Sequence, residues 1–223
     1  MKIKKLISAL VLGSMLVGLS GCNITDFSAE NLLRPPKAVG DEAEIEQLIA
    51  KTADSGYTLK YPKNGKFRSA IIMTDLDGND SNEAVAFFRN SVETSSVHML
   101  VMYSKDNSWE IASDNIFETT DIDSVDFADL TGNGKAEIIV NSTTYTPNVG
   151  KLSCYSYSEG KTNEVGSGQS CSSFVTGDFD NDGTSEIMSL VLYTTENEAL
   201  ASMLDYNEDS KSLYAKAMAN MDP

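Results

Sequence analysis

The chain is poor in the residues from which active sites are most often built. Among 223 residues there is one histidine, His98, one tryptophan, Trp109, three cysteines and five prolines. A single histidine excludes His-rich metal centres and leaves general acid–base catalysis without its commonest residue. His98 opens the strand-like run HMLVMY (98–103), where a histidine reads as structure. No H-E-x-x-H, G-x-S-x-G or phosphate-binding glycine loop occurs. GSGQS (166–170) has loop composition and is not a nucleophile elbow. Trp109 follows a turn and reads as packing. Basic residues are scarce too, 17 against 33 acidic, for a formal net charge of −16. Such a surface repels nucleic acid and anionic headgroups and suits divalent cations, basic partners or neutral ligands. The expectation is a protein without catalysis of its own.

Long apolar runs are also missing, with one exception. Lys2, Lys4 and Lys5 precede a mostly apolar stretch from Leu6 to Leu19. It is too short and wrongly flanked for an ordinary spanning helix. It ends in Leu19-Ser20-Gly21-Cys22, which resembles the bacterial lipobox. The resemblance implies a signal peptide over residues 1–21 and lipidation of Cys22, palmitate included. The mature chain would then be held to the cell membrane on its extracytoplasmic face. Two or more acyl chains anchor far better than one, at about 0.8 kcal/mol per buried methylene. Losing the three lysines and no acid takes the net charge from −16 to −19. Residues 22–40, with Pro35-Pro36 and Gly40 and no periodicity, read as a flexible tether. The remaining cysteines, Cys154 and Cys171, fall on different strand-like runs and read as buried, inert thiols, although the compartment permits a disulfide.

Residues 41–53 carry Ile45, Leu48 and Ile49 at helical spacing, with acids crowding the first turn and Asp41 as the expected cap. From Tyr57 onward the pattern changes. Short runs rich in Val, Ile, Tyr and Phe alternate with Gly, Asn, Asp and Ser: SAIIM (69–73), EAVAFF (83–88), HMLVMY (98–103), AEIIV (136–140), LSCYSY (152–157) and EIMSLVLY (186–193). Residues 54–223 are expected to form one mainly β domain behind one short amphipathic helix.

That domain repeats. DLDGNDSNEAV begins at Asp75, DLTGNGKAEII at Asp129 and DFDNDGTSEIM at Asp178. Each block has Asp at position 1, oxygen-bearing side chains at 3 and 5, and Glu at 9. Tyr103, Tyr157 and Tyr206 each lie 28 residues after their Asp. The unit reads as a four-stranded antiparallel sheet of about 50 residues, the size of a propeller blade. These residues resemble the FG-GAP and VCBS repeats of integrin α-subunit propellers and many bacterial surface proteins. The family pattern is D-x-D-x-D-G-x-x-E, matched in full by residues 178–186. The second block departs at Thr131 and Asn133. The first has Asn79, and Asp80 in place of the glycine.

The resemblance implies structural calcium. Alternate oxygens in a tight loop can converge on one ion, which takes six to eight of them. The third site would use Asp178, Asp180, Asp182, the Thr184 carbonyl and Glu186. The first would use Asp75, Asp77, Asn79, the Ser81 carbonyl and Glu83. The second would use Asp129, Thr131, Asn133, the Lys135 carbonyl and Glu137. The expected order of affinity is third, first, second. An EF-hand is rejected, because its closing Glu stands at position 12, which here is Ser189.

Three blades fall short of the usual four to eight. The favoured account is a chain that is part of a longer propeller. Pairing with another copy, or capping by the helix and residues 57–61, are the others. The functional expectation is a surface-anchored lipoprotein whose calcium-stabilised repeats bind or scaffold a protein or glycan. An accessory carbohydrate-binding domain or a degenerate hydrolase of a polysaccharide-active system is the alternative.

Overall fold

The computed structural model describes residues 40–54, 56–193 and 198–221. The expected signal peptide, Cys22 and all of the expected tether except Gly40 lie outside the described residues. The chain divides into two units after Ala38, and everything described belongs to the second.

The expected helix is present as α1 (Asp41–Ala53), with Asp41, Glu42 and Glu44 in its first turn and Lys51 in its last. Both placements suit the helix dipole. Asp41 is not the cap. That position belongs to Gly40, whose carbonyl accepts from the Ala43 and Glu44 N–H groups, with no side-chain cap. Ile45, Ile49 and Ala53 are buried along one face.

The rest is mainly β: thirteen strands among the described residues, in three antiparallel sheets. The first sheet holds β1 (Tyr57–Leu59), β2 (Ile71–Thr74), β3 (Glu83–Asn90), β4 (Val97–Lys105) and β5 (Ser108–Phe117). The second holds β6 (Ile122–Ala128), β7 (Glu137–Thr143), β8 (Gly150–Ser158) and β9 (Lys161–Cys171). The third holds β10 (Ser173–Gly177), β11 (Glu186–Tyr193), β12 (Glu198–Asn207) and β13 (Ser212–Met221). The second and third are meanders in chain order. In the first, β1 and β2 lie end to end along one edge of β3, against Phe88–Asn90 and Glu83–Ala86 respectively. Residues 61–69 leave that edge and run beside β6, where the Lys63 and Asn64 N–H groups donate to the Ile122 and Asp123 carbonyls. Lys60 and Lys63 both pair with Asp121, and Phe67 meets Phe127 edge to face at 4.9 Å.

Three apolar clusters explain the strand sequences. α1 packs on one face of the first sheet through Ile45, Ile49, Ala86, Phe88, Leu100 and Trp109. The opposite face, with Val85, Phe87, Met99 and Val101, meets Ile138, Val140 and Tyr155 of the second sheet. Ile139, Leu152 and Cys154 then meet Ile187, Leu204 and Leu213 of the third. β3 is therefore covered on both faces, which is why AVAFF (84–88) is a continuous apolar run and does not alternate. None of the clusters joins the first sheet to the third. Cys154 and Cys171 are buried and unpaired, and burial raises both thiols, Cys171 to about 12. His98 stacks on Phe88 and hydrogen-bonds Asp114, a structural setting for the one histidine.

Candidate metal centre

All three acidic blocks are the connection between the first and second positions of their sheets, β2–β3, β6–β7 and β10–β11. Their hydrogen bonds repeat almost atom for atom. The position-1 Asp accepts from the N–H groups at 5 and 6: Asp75 from Asn79 and Asp80, Asp129 from Asn133 and Gly134, Asp178 from Asp182 and Gly183, all between 2.8 and 3.3 Å. The position-5 side chain accepts from the N–H at 7, Ser81, Lys135 or Thr184, at 2.7–2.8 Å. The closing Glu reaches back to the N–H at position 2, Leu76, Leu130 or Phe179, at 2.8 Å in every case. Asp80 adopts the left-handed conformation (φ 65°) that Gly134 (78°) and Gly183 (96°) adopt at the same position. Aspartate tolerates that region better than most residues, so the first turn keeps its geometry. Position 4 is left-handed as well, in Gly78, Gly132 and Asn181. Sequence reading missed this, although glycine or asparagine at all three was its signal.

The loops stand side by side. The Ala136 N–H donates to the Leu76 carbonyl, and the Ser185 N–H to the Asp129 carbonyl. A Cβ on Gly132 would lie 2.7 Å from Thr184 Cγ2, so the second and third loops touch there.

They differ in how the buried glutamate is satisfied. Glu83, Glu137 and Glu186 are 3%, 1% and 0% exposed. In the second loop Glu137 Oε1 accepts from Thr131 Oγ1 (3.3 Å), and Oε2 from the Leu130 and Thr131 N–H groups. Burial, reinforced by the Asp129 charge, pushes the Glu137 carboxyl up to about 7. That glutamate can be neutralised by a proton. In the third loop Glu186 Oε1 is buried with no hydrogen-bond partner among the described residues. In the first, Asp77 Oδ1 is in the same condition, and burial raises Glu83, with Asp77 and Asp75 adding to the effect. Asp178, Asp180, Asp182 and Glu186 bring carboxylate oxygens within 4.8 Å of one another, as do Asp75, Asp77 and Glu83. A buried carboxylate oxygen without a donor is costly. Oxygen ligands, a multiply negative cluster and an orphaned buried oxygen together fit a hard divalent cation.

The structure thus brings together the expected carboxylates of the first and third sites. In the second it turns Thr131 toward Glu137. One residue near the third loop escaped sequence reading: Lys216 of β13, bonded to Asp180. It lies 36 residues away in an unremarkable stretch, and only the fold brings it close.

At the other end of the sheets, a cleft of about 560 Å³ opens beside the starts of β6 and β10. Asp121, Asp123, Asn141, Thr144, Asn148 and Leu192 are among its lining. No helix is long and apolar enough to cross a membrane among the described residues. No family model matches the chain, and no curated protein matches it.

Proposed function

We propose that the chain is a lipid-anchored surface module whose calcium-stabilised, propeller-like repeats bind or scaffold a partner without chemistry of their own. The observation that carries this is the threefold repetition of one loop geometry, with an orphaned buried carboxylate oxygen in the first and third copies. A catalytic pair has no reason to recur in register, whereas a structural ion does. Calcium would draw on Asp75, Asp77, Asn79, Ser81 and Glu83 in the first loop and on Asp178, Asp180, Asp182, Thr184 and Glu186 in the third. Its role there is to neutralise the cluster and fix the turn into the next strand. Asp129, Thr131, Asn133, Lys135 and Glu137 form the weak site.

The blade reading is supported by register. Two apolar positions that face the following sheet in the first repeat are largely exposed in the third. Leu76 and Leu130 are 0% and 2% exposed, and Phe179 at the same position is 44% exposed. Ile72 is buried where Val175 is 56% exposed. The third sheet therefore ends with the face that would receive a further blade. A second copy of this chain is the occupant an otherwise acidic protein admits most easily, because the exposed Val175 and Leu192 bring no charge. Gel filtration tests this: an oligomer that Val175→Glu dissociates is expected, and a compact monomer overturns it.

The test of the main reading is thermal melting with millimolar calcium and then with chelator. A rise that the chelator reverses is expected, and no shift sinks the metal assignment. The polar cleft beside β6 and β10 favours one second reading, an accessory glycan-binding domain. A glycan array decides it.

A further inference from the structure

The third loop has a neighbour that the other two lack. Lys216 donates from Nζ to Asp180 Oδ2 and, at 2.9 Å, to Asp205 Oδ2. Tyr214 donates its hydroxyl to the same Asp205 oxygen at 3.2 Å. Among the described residues no lysine or arginine pairs with an acid of the first or second loop. Asp180 belongs to the four-carboxylate cluster, as does Glu186, which is 0% exposed and whose Oε1 has no hydrogen-bond partner among the described residues. The loop with the most converging carboxylates is thus also the one with a cation of its own.

We infer that Lys216 is a tethered competitor for the cation of the third loop, setting its calcium affinity and holding the cluster together when the ion is absent. The inference rests on the calcium reading above. An ammonium on Asp180 and a divalent ion on the same carboxylate repel at hydrogen-bonding distance. Ion entry must therefore break the Lys216–Asp180 bond. Asp205 makes this feasible, because it keeps the ammonium paired after Asp180 is given up. Nothing covalent changes: one cation replaces another on Asp180, and Lys216 moves wholly onto Asp205. The full acid set of the third loop then overstates its affinity. With Lys216 counted, its net charge falls to that of the Asp75, Asp77 and Glu83 set, and in the wild type it binds calcium no more tightly than the first loop.

The test is calorimetric titration of calcium chloride into the full chain in detergent, in an Asp75→Asn background that silences the first loop. Lys216→Met is expected to raise the remaining affinity about tenfold, the size of one hydrogen bond to a charged group. Lys216→Arg keeps a competing charge and should leave the affinity low. Asp205→Asn removes the acid that receives the lysine and should weaken calcium binding, and adding Lys216→Met to it should abolish that weakening. A purely structural role for Lys216 would instead lower affinity in the Met variant and leave Asp205→Asn insensitive to it. Calcium binding that Lys216→Met leaves unchanged or weaker overturns the inference while the calcium reading stands. No binding by the Asp75→Asn chain or its Lys216→Met variant overturns both for this loop.

Discussion

The first and third repeats are built on the same register and live in different surroundings. The first sheet has α1 on one face and the second sheet on the other. Among the described residues, the third has a neighbour on one face only. The same sequence position therefore carries different energetic weight at the two ends of the stack. Leu76 is sealed beneath the second sheet, and Phe179, which is larger, lies 44% exposed. Substitution of both by alanine separates position from environment. Leu76→Ala is expected to cost about 2–5 kcal/mol by chemical denaturation, and Phe179→Ala less than about 1 kcal/mol. Equal losses would mean that something covers Phe179 in solution.

The same comparison applied to the loops gives the next largest effect. A site held at a hundred times its dissociation constant stabilises the fold by about 2.7 kcal/mol. Glu83→Gln and Glu186→Gln should each remove one such increment from the calcium-dependent part of the melting temperature. Glu137→Gln should remove little, since Thr131 already occupies its second oxygen. If the Glu137 variant alone abolishes the calcium response, the ranking of the three loops is wrong.

Much of this was legible in the residues, and the boundary is physical. Strand runs, the helix and the triple register are encoded locally, by periodicity and by turn chemistry that glycine, asparagine and aspartate impose within a few residues. Asp80 shows the local code tolerating a substitution, because aspartate reaches the left-handed region that its loop requires. Lys216, the split first position of the first sheet and the contact of residues 61–69 with β6 were not legible. Each depends on which elements the fold places side by side, and neither composition nor spacing carries that. The exposure of Phe179 was equally hidden, since an apolar residue after an Asp reads alike in all three blocks.

The middle loop supplies a pH test that places it between the two ends. Burial holds Glu137 at about 7 in the folded state, against about 4.3 in an unfolded chain. The folded state therefore keeps the proton over that window while the unfolded state has lost it. Stability from this group is complete below about pH 4.3 and declines as pH rises toward 7. With chelator present, Glu137→Gln should flatten the fall in stability across this window, at up to about 1.4 kcal/mol per pH unit. An unchanged slope would assign the pH dependence to Glu83, which is also raised by burial.

The smallest effect isolates the one side chain, among those expected to hold an ion, that separates the middle loop from both neighbours. Position 3 is Asp77 in the first loop, Asp180 in the third and Thr131 in the second. Thr131→Asp would give the second loop the same acids at positions 1, 3 and 9 that the first possesses. It would also replace the hydroxyl that now donates to Glu137 with a carboxylate that cannot. Without calcium the exchange should cost about 1 kcal/mol, the loss of one hydrogen bond with a like charge set in its place. With calcium the sign should reverse, and a site should appear where the wild type has little affinity. That reversal is what distinguishes a loop that has traded its ion for a threonine and a proton from a loop that never had room for one.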